Sequence, residues 1–276
     1  MNGGAGNDTL VGGLGDDTLM GGAGVDTFTV TLGADTITDL GNGVDVLTVA
    51  AGATANATLA AAWTAGATSI NRGIENITTN GFVTNLAAVV TAATNGFNVT
   101  NIGAATTLTG SGLNDTLTGG TGNDTITAGA GNDSIIGGDG VDVITGGSGA
   151  DTMNGGNGSD IYSVTVLADY TAGETINDTG TGVGDVDELR VALTAAGTFT
   201  ALGTISGIER IAIGTGTAAA AVATATTAIN VNAAALSNAV TIVGNAGANI
   251  LTGGSGADTM NGGAGNDTLV GGLGDD

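Results

Sequence analysis

Aspartates at a fixed spacing of nine residues are the side chains of this sequence that could do chemistry. Between Gly110 and Ser163, six consecutive nine-residue repeats, here called lines, each carry Asp at the sixth position. These are Asp115, Asp124, Asp133, Asp142, Asp151 and Asp160. The first four positions are glycine-rich, and glycine permits sharp turns whose carbonyls point to one side. Carboxylate and carbonyl oxygens match the shell of about 6–8 oxygens that Ca²⁺ takes, whereas Mg²⁺ needs a stricter octahedron.

The last three residues of each line predict the element that positions its aspartate. They alternate polar, apolar and polar, as in Thr125-Ile126-Thr127, which is typical of a short strand with one inward side chain. The inward residues at position eight are Leu117, Ile126, Ile135, Ile144, Met153 and Tyr162. Two lines then form one coil with a strand on each side. Aspartates two lines apart stack on the same edge, where they repel unless a hard cation lies between them.

We therefore predict Ca²⁺ sites at the position-six aspartates, paired every 18 residues. The hexapeptide Gly-Gly-x-Gly-x-Asp is strict at ten places, relaxed at Asp115 and Asp133, and degenerate at Asp35. The predicted ligands are Asp8, Asp17, Asp26, Asp35, Asp115, Asp124, Asp133, Asp142, Asp151, Asp160, Asp258, Asp267 and Asp276. The predicted pairs are Asp8–Asp26, Asp17–Asp35, Asp115–Asp133, Asp124–Asp142, Asp133–Asp151, Asp142–Asp160 and Asp258–Asp276.

At these residues the sequence resembles the RTX family, the nonapeptide repeats GGxGxDxUx of secreted bacterial proteins. The resemblance implies a calcium-binding parallel β-helix. The predicted fold class is therefore all-β, a parallel β-roll or β-helix solenoid built of tandem repeats. The resemblance also implies an extracellular or cell-surface protein exported by a bacterial type I system.

Composition narrows the range of functions. The chain of 276 residues has 54 glycines and no proline, cysteine or histidine. Three arginines face 26 acidic residues for a net charge of −23, which argues against nucleic acid or an anionic membrane as partner. No apolar run is long enough for membrane insertion. Without His or Cys the common zinc, haem and nucleophilic arrangements are absent, so we predict that the chain is not an enzyme.

Two longer repeats organise the chain. Residues 1–17 return letter for letter at 260–276, an offset of 259, which predicts a tandem array cut slightly beyond one unit. Within the unit, Gly73-Ile74-Glu75 matches Gly207-Ile208-Glu209 at an offset of 134. We predict RTX β-roll blocks at 1–29, 110–163 and 244–276, the first continuing from 244–276 of a preceding unit, and β-solenoid spacers at 30–109 and 164–243.

The spacers are rich in Thr, Ala and Val with short alternating runs, and predict wider coils that bind few ions. Each opens with a degenerate line, which keeps Asp35 in the first and Asp169 in the second. Further acidic residues follow at Asp39, Asp45, Asp178, Asp185 and Asp187. The run from Ala53 to Ala65 could instead form a short helix, and Trp63 within it is predicted to be a core or interface residue.

These observations predict a structural extracellular protein. It would be a calcium-stiffened repeat rod in a surface fibre, matrix filament or S-layer-like assembly, with calcium and further copies of itself, joined head to tail, as partners. The alternatives are the RTX secretion and folding region of a secreted toxin, protease or lipase, and an adhesin extender. The fixed array of 259 residues favours the fibre.

Overall fold

The computed structural model describes residues 1–42, 44–89, 95–170, 173–180, 182, 184–215 and 224–276. All regular elements in these ranges are β-strands joined in parallel sheets, so the predicted all-β parallel solenoid is confirmed. The described part of the chain therefore holds no helix that could cross a membrane. The chain divides into two compact units, Met1–Gly138 and Asp139–Asp276.

The strands of the first unit are short, and successive coils of the solenoid each contribute a few of them. They are β1 (Asn2–Ala5), β2 (Thr9–Val11), β3 (Thr18–Ala23), β4 (Thr27–Val30), β5 (Ala34–Leu40), β6 (Val46–Val49), β7 (Thr54–Leu59), β8 (Trp63–Thr64), β9 (Ile70–Asn71), β10 (Ile74–Thr79), β11 (Thr84–Asn85), β12 (Asn98–Asn101), β13 (Thr107–Thr109), β14 (Thr116–Thr121), β15 (Thr125–Ala130) and β16 (Ser134–Asp139).

In the first unit, one long sheet takes every coil's first strand, in the order β1-β3-β5-β7-β10-β12-β14-β16. The return strands form two sheets, β2-β4-β6-β9 and β8-β11-β13-β15. The position-eight side chains point between the sheets. Leu10 pairs with Phe28 in parallel register, and Leu117 and Ile126 are completely buried. The core is therefore a stack of buried apolar side chains contributed by successive strands.

The second unit repeats this plan with longer excursions. Its strands are β17 (Val143–Ser148), β18 (Thr152–Asn157), β19 (Ile161–Val164), β20 (Thr175–Asn177), β21 (Glu188–Val191), β22 (Gly197–Thr200), β23 (Ile205–Ser206), β24 (Arg210–Ile213), β25 (Ile229–Asn232), β26 (Thr241–Val243), β27 (Ile250–Thr252), β28 (Thr259–Asn261) and β29 (Thr268–Val270). The sheet orders are β17-β19-β21-β24-β26-β28, β18-β20-β23 and β22-β25-β27-β29.

Coil length separates the repeat lines from the spacers. Contacts between neighbouring coils join residues 18 apart in the repeat lines, as between Asp8 and Asp26. In the first spacer the separation is 20 between Asn56 and Asn76 and 22 between Asn76 and Asn98. In the second spacer it reaches 32, between Thr198 and Asn230. The spacer coils are thus wider, as their sequence predicts.

The alanine-rich run from Ala53 to Ala65 is not helical. It forms β7 and β8, because its side chains alternate between buried and exposed along β7. The helix alternative is therefore wrong. Trp63 is completely buried, and its Nε1 donates a hydrogen bond to the carbonyl of Asp45 at 3.0 Å. Trp63 is a core residue, as predicted.

Candidate metal centre

The position-six carboxylates form a chain of hydrogen bonds from coil to coil, which we call the carboxylate ladder. In each rung, a backbone N–H at position six donates to the carboxylate at the same position one coil later. The Asp8 N–H donates to Asp26 Oδ1 at 2.9 Å. The same rung joins Asp17 to Asp35 at 3.0 Å, Phe97 to Asp115 at 2.7 Å, Thr106 to Asp124 at 2.6 Å, Asp115 to Asp133 at 2.7 Å, Asp142 to Asp160 at 2.7 Å, Val240 to Asp258 at 2.9 Å, Asn249 to Asp267 at 2.9 Å and Asp258 to Asp276 at 2.8 Å.

In each rung Oδ1 accepts the ladder hydrogen bond. In several carboxylates the second oxygen, Oδ2, is left without a hydrogen bond. Oδ2 is buried without a hydrogen-bond donor in Asp8, Asp17, Asp35 and Asp160. Asp35 and Asp160 are 0% exposed, so water does not solvate these atoms. Burying an ionised carboxylate oxygen without a partner is costly, and proteins resolve that cost with a proton or a cation. These leftover oxygens fit a hard cation, which prefers oxygen ligands.

Glycine at position one makes room for the carboxylate. A Cβ placed on Gly21 would lie 2.2 Å from Asp26 Oδ2, and one on Gly155 would lie 2.2 Å from Asp160 Oδ2. The glycines at positions two and four serve a different purpose, since they adopt positive φ angles. In the line of Asp160 these are 102° at Gly156 and 125° at Gly158. The repeat thus needs glycine for space at one position and for backbone conformation at two others.

The structure places the predicted ligands as follows. Asp26, Asp35, Asp115, Asp124, Asp133, Asp142, Asp151, Asp160 and Asp258 are buried, Asp8, Asp17 and Asp267 are half-buried, and Asp276 is exposed. A ladder rung joins the predicted pairs Asp8–Asp26, Asp17–Asp35, Asp115–Asp133, Asp142–Asp160 and Asp258–Asp276. Asp124–Asp142 and Asp133–Asp151 have one member in each unit. All metal assignments to these residues stay predictions.

The ladder also contains spacer carboxylates that the glycine pattern missed. The Asp26 N–H donates to Asp45 Oδ1 at 2.9 Å. The Asp160 N–H donates to Asp187 Oδ1 at 2.8 Å, and the Asp187 N–H donates to Glu209 Oε2 at 2.9 Å. Each of these acids stands two residues before a buried apolar residue, respectively Leu47, Leu189 and Ile211. The signal that could have found them is the carboxylate-x-apolar half of the repeat without its glycines.

Glu75 lies in the same column of the first spacer. Strand register places it beside Ala55, which itself pairs with Asp35. It is 1% exposed, and neither carboxylate oxygen has a hydrogen-bond partner. Burial raises the pKa of Glu75 well above its usual range, and the nearby charge of Asp115 adds to the shift. The Gly-Ile-Glu motif thus places a buried carboxylate at the ladder position in its first copy, whereas Glu209 of the second copy is exposed.

Four stretches match the family model of the RTX calcium-binding nonapeptide repeat, residues 2–37, 109–144, 130–162 and 243–276. The chain carries RTX repeats. No curated protein matches it. The RTX stretches contain all the aspartates predicted as ligands, whereas Asp45, Glu75, Asp187 and Glu209 lie outside them. Calcium, when bound to an RTX repeat, supplies the positive charge that the buried carboxylates need. The leftover Oδ2 atoms are the oxygens that would hold it.

Burial raises the pKa of several carboxyl groups above the usual value for aspartate. It raises the pKa of Asp124 to about 6, and the pKa of Asp187 to about 7. It also raises the pKa of Asp160 to about 8, where the charges of Asp142, Asp178 and Asp187 add to the effect. Hydrogen bonds from the ladder N–H groups oppose these shifts without cancelling them.

These shifts predict that pH acts on stability in opposite directions with and without calcium. Because the folded pKa of each carboxyl lies above its ordinary value of 3.8, protons favour the folded state when calcium is absent. That contribution is complete below about pH 4 and is lost as pH rises through about 6–8. With calcium present, protons compete with the ion, so the same rise in pH favours binding and folding.

Thermal unfolding between about pH 5 and pH 8 tests this, with protein depleted of calcium on a chelating resin and with protein at saturating calcium. The unfolding temperature is expected to fall with rising pH in the first sample and to rise in the second. An unfolding temperature that rises with pH in the calcium-free protein would contradict the assignment.

Proposed function

We propose that the chain is the repeating portion of an extracellular structural array, a calcium-stiffened rod in a surface fibre, matrix filament or S-layer-like assembly. The observation that carries the proposal is the identity of residues 1–17 with residues 260–276. Two identical stretches can occupy identical positions in consecutive units, so the next unit follows without a linker. Each junction is then an uninterrupted RTX block, with calcium and further units as the partners.

In the proposed array, the two identical stretches would have the same surroundings. Leu10 is 5% exposed because it pairs with Phe28 of the following coil. Its twin Leu269 is 47% exposed. A following unit would supply the counterpart of Phe28 and bury Leu269 in the same way. Burial of a leucine side chain contributes about 1.5–3 kcal/mol, so each junction gains a share of core.

The charge distribution supports export followed by calcium-driven ordering. At a net charge of −23 with buried carboxylate columns, the calcium-free chain repels itself. Type I export of such an expanded chain precedes its contact with extracellular calcium. Binding then neutralises the columns, and the binding free energy becomes folding free energy, since the sites do not exist in the unfolded chain.

A chain of three consecutive 259-residue units tests the proposal by electron microscopy in calcium. We expect elongated particles whose length grows in proportion to the number of units, with an axial repeat of about 60–70 Å, from the strand spacing of about 4.8 Å. A compact particle without such a repeat would favour the alternative of a terminal secretion and folding region.

Two matched variants locate the junction. Leu269→Asp, placed at each internal junction, should bend or break the particle there, because it puts a charge into the joined core. Val270→Asp should have no effect, since its twin Val11 stays 49% exposed even under the next coil. Particles of the same shape and length from the two variants would show that the units do not stack in this way.

A further inference from the structure

Three carboxylates meet at the end of the second unit's first RTX stretch. One oxygen each from Asp160, Asp178 and Asp187 lies within 4.8 Å of the others. Of the three, only Asp160 lies in a stretch that matches the RTX repeat, and that stretch ends at residue 162. Asp178 and Asp187 come from the spacer, where the sequence predicts few ions. We propose that these three residues form a further hard-cation site, in which Asp178 and Asp187 of the spacer join Asp160 in binding Ca²⁺.

An independent observation points to a ligand at this position. Asp160 is 0% exposed, and its Oδ2 has no hydrogen-bond partner. Its Oδ1 is already used, since it accepts the ladder N–H of Asp142. The leftover oxygen therefore belongs to a completely buried carboxylate that faces two further carboxylates. A cation among the three supplies the partner that Oδ2 lacks.

The two spacer carboxylates are held in place by the protein. Asp187 accepts the Asp160 N–H through Oδ1, so the ladder fixes it next to Asp160. Asp178 Oδ2 accepts the hydroxyl hydrogen of Tyr162 at 2.6 Å, and Asp178 Oδ1 accepts the Gly180 N–H at 2.9 Å. The Tyr162 hydroxyl in turn accepts the Gly155 N–H. These hydrogen bonds thus fix the positions of both spacer carboxylates in the folded chain.

Tyr162 explains why this coil differs from the others. Position eight carries an aliphatic or Met side chain in the five preceding lines and Tyr only here. The ring is buried like the aliphatic residues, while the hydroxyl donates a hydrogen bond to Asp178. An aliphatic residue at this position could not hold the spacer carboxylate. The substitution therefore recruits Asp178 to the ladder edge.

The donor set selects the class of cation. All three ligands are carboxylates, which favours a hard ion. Oxygens on opposite sides of a Ca²⁺ ion lie about 4.6–5.2 Å apart, so three oxygens within 4.8 Å of one another can all reach one ion. The chain has no lysine, and two of its three arginines, Arg190 and Arg210, place their guanidinium groups against Glu188.

Terbium luminescence of the full chain tests the site, because Tb³⁺ replaces Ca²⁺ at oxygen sites and is sensitised by a nearby tyrosine. Tyr162 touches Asp178, so an ion bound there lies close to its ring. Asp178→Asn should remove most of the tyrosine-sensitised emission, and equilibrium dialysis should find one fewer Ca²⁺ per chain. Asp187→Asn should do the same while its amide oxygen still accepts the ladder hydrogen bond from the Asp160 N–H.

Asp169→Asn is the matched control, since it removes the same charge from a half-buried residue of the same spacer and should change neither reading. Circular dichroism confirms that each variant folds. Unchanged calcium stoichiometry and unchanged sensitised emission in folded Asp178→Asn and Asp187→Asn would overturn the proposal. That result would leave the predicted RTX sites and the array unaffected, because the two residues changed lie outside the repeat.

Discussion

Above about pH 8, where the ladder carboxyls have lost their protons, removing calcium is expected to abolish most of the β-sheet circular dichroism signal of the chain. The buried carboxylates of each column repel one another, and only three arginines are present to oppose them. Without the ion, an oxygen such as Asp35 Oδ2 is buried with neither charge partner nor hydrogen bond. Because binding is coupled to folding, the signal should return cooperatively at millimolar calcium, and magnesium should substitute poorly.

A matched pair of variants makes the calcium experiment specific to the ladder. Asp35→Asn keeps the oxygen that accepts the Asp17 N–H and removes one buried charge from the column. It should raise the calcium concentration needed for folding several-fold. Asp16→Asn removes the same charge from an exposed residue and should leave the midpoint in place. An equal β signal with and without chelator in the parent chain would refute calcium-dependent folding.

The second large effect is expected from one methyl group. In Gly155→Ala the new Cβ would lie 2.2 Å from Oδ2, 2.6 Å from Cγ and 2.7 Å from Cβ of Asp160. The carboxylate cannot move away without breaking its ladder rung, so the backbone must shift. Such overpacking costs about 1–3 kcal/mol and occasionally more. We expect a loss of unfolding free energy in this range at saturating calcium, together with weaker calcium binding.

Gly203→Ala is the control for the steric argument. Gly203 is exposed, lacks positive φ, and its added Cβ would meet only the Ala235 carbonyl at 3.9 Å. This substitution should change the unfolding free energy by no more than about 0.5 kcal/mol. Urea titration of both variants in calcium measures the difference. Equal stabilities would show that position one does not need glycine for space.

The solenoid could be predicted because each nine-residue repeat contains the residues that determine its own turn and strand. Positive φ at Gly120 and Gly122 and the single buried Ile126 are all written into one line. The alanine-rich run around Trp63 was ambiguous for the opposite reason. Alanine has a high intrinsic helix propensity. The run forms a strand only because alternate residues of β7 pack inward.

The site was predictable only where the repeat is regular. Asp187 stands 27 residues after Asp160, and Glu209 stands 22 after Asp187, so a fixed period of 18 does not reach either. The widths of the intervening coils come from loops whose length has no local signal. The contact of Tyr162 with Asp178 depends on the same excursion. Carboxylate-x-apolar spacing would have named Asp45, Glu75, Asp187 and Glu209, but not Asp178.

The unequal widths of the spacer coils have a consequence for how so repetitive a sequence avoids misfolding. Within the RTX stretches a strand that pairs one whole coil too early or too late meets nearly the same residues, so local contacts alone do not reject the error. A coil of 22 or 27 residues fits one neighbour only, because Trp63 and Tyr162 have no counterpart one coil away to fill their places. The irregular spacers therefore fix the pairing register of the coils. They divide the chain into short regular segments in which a slip cannot propagate.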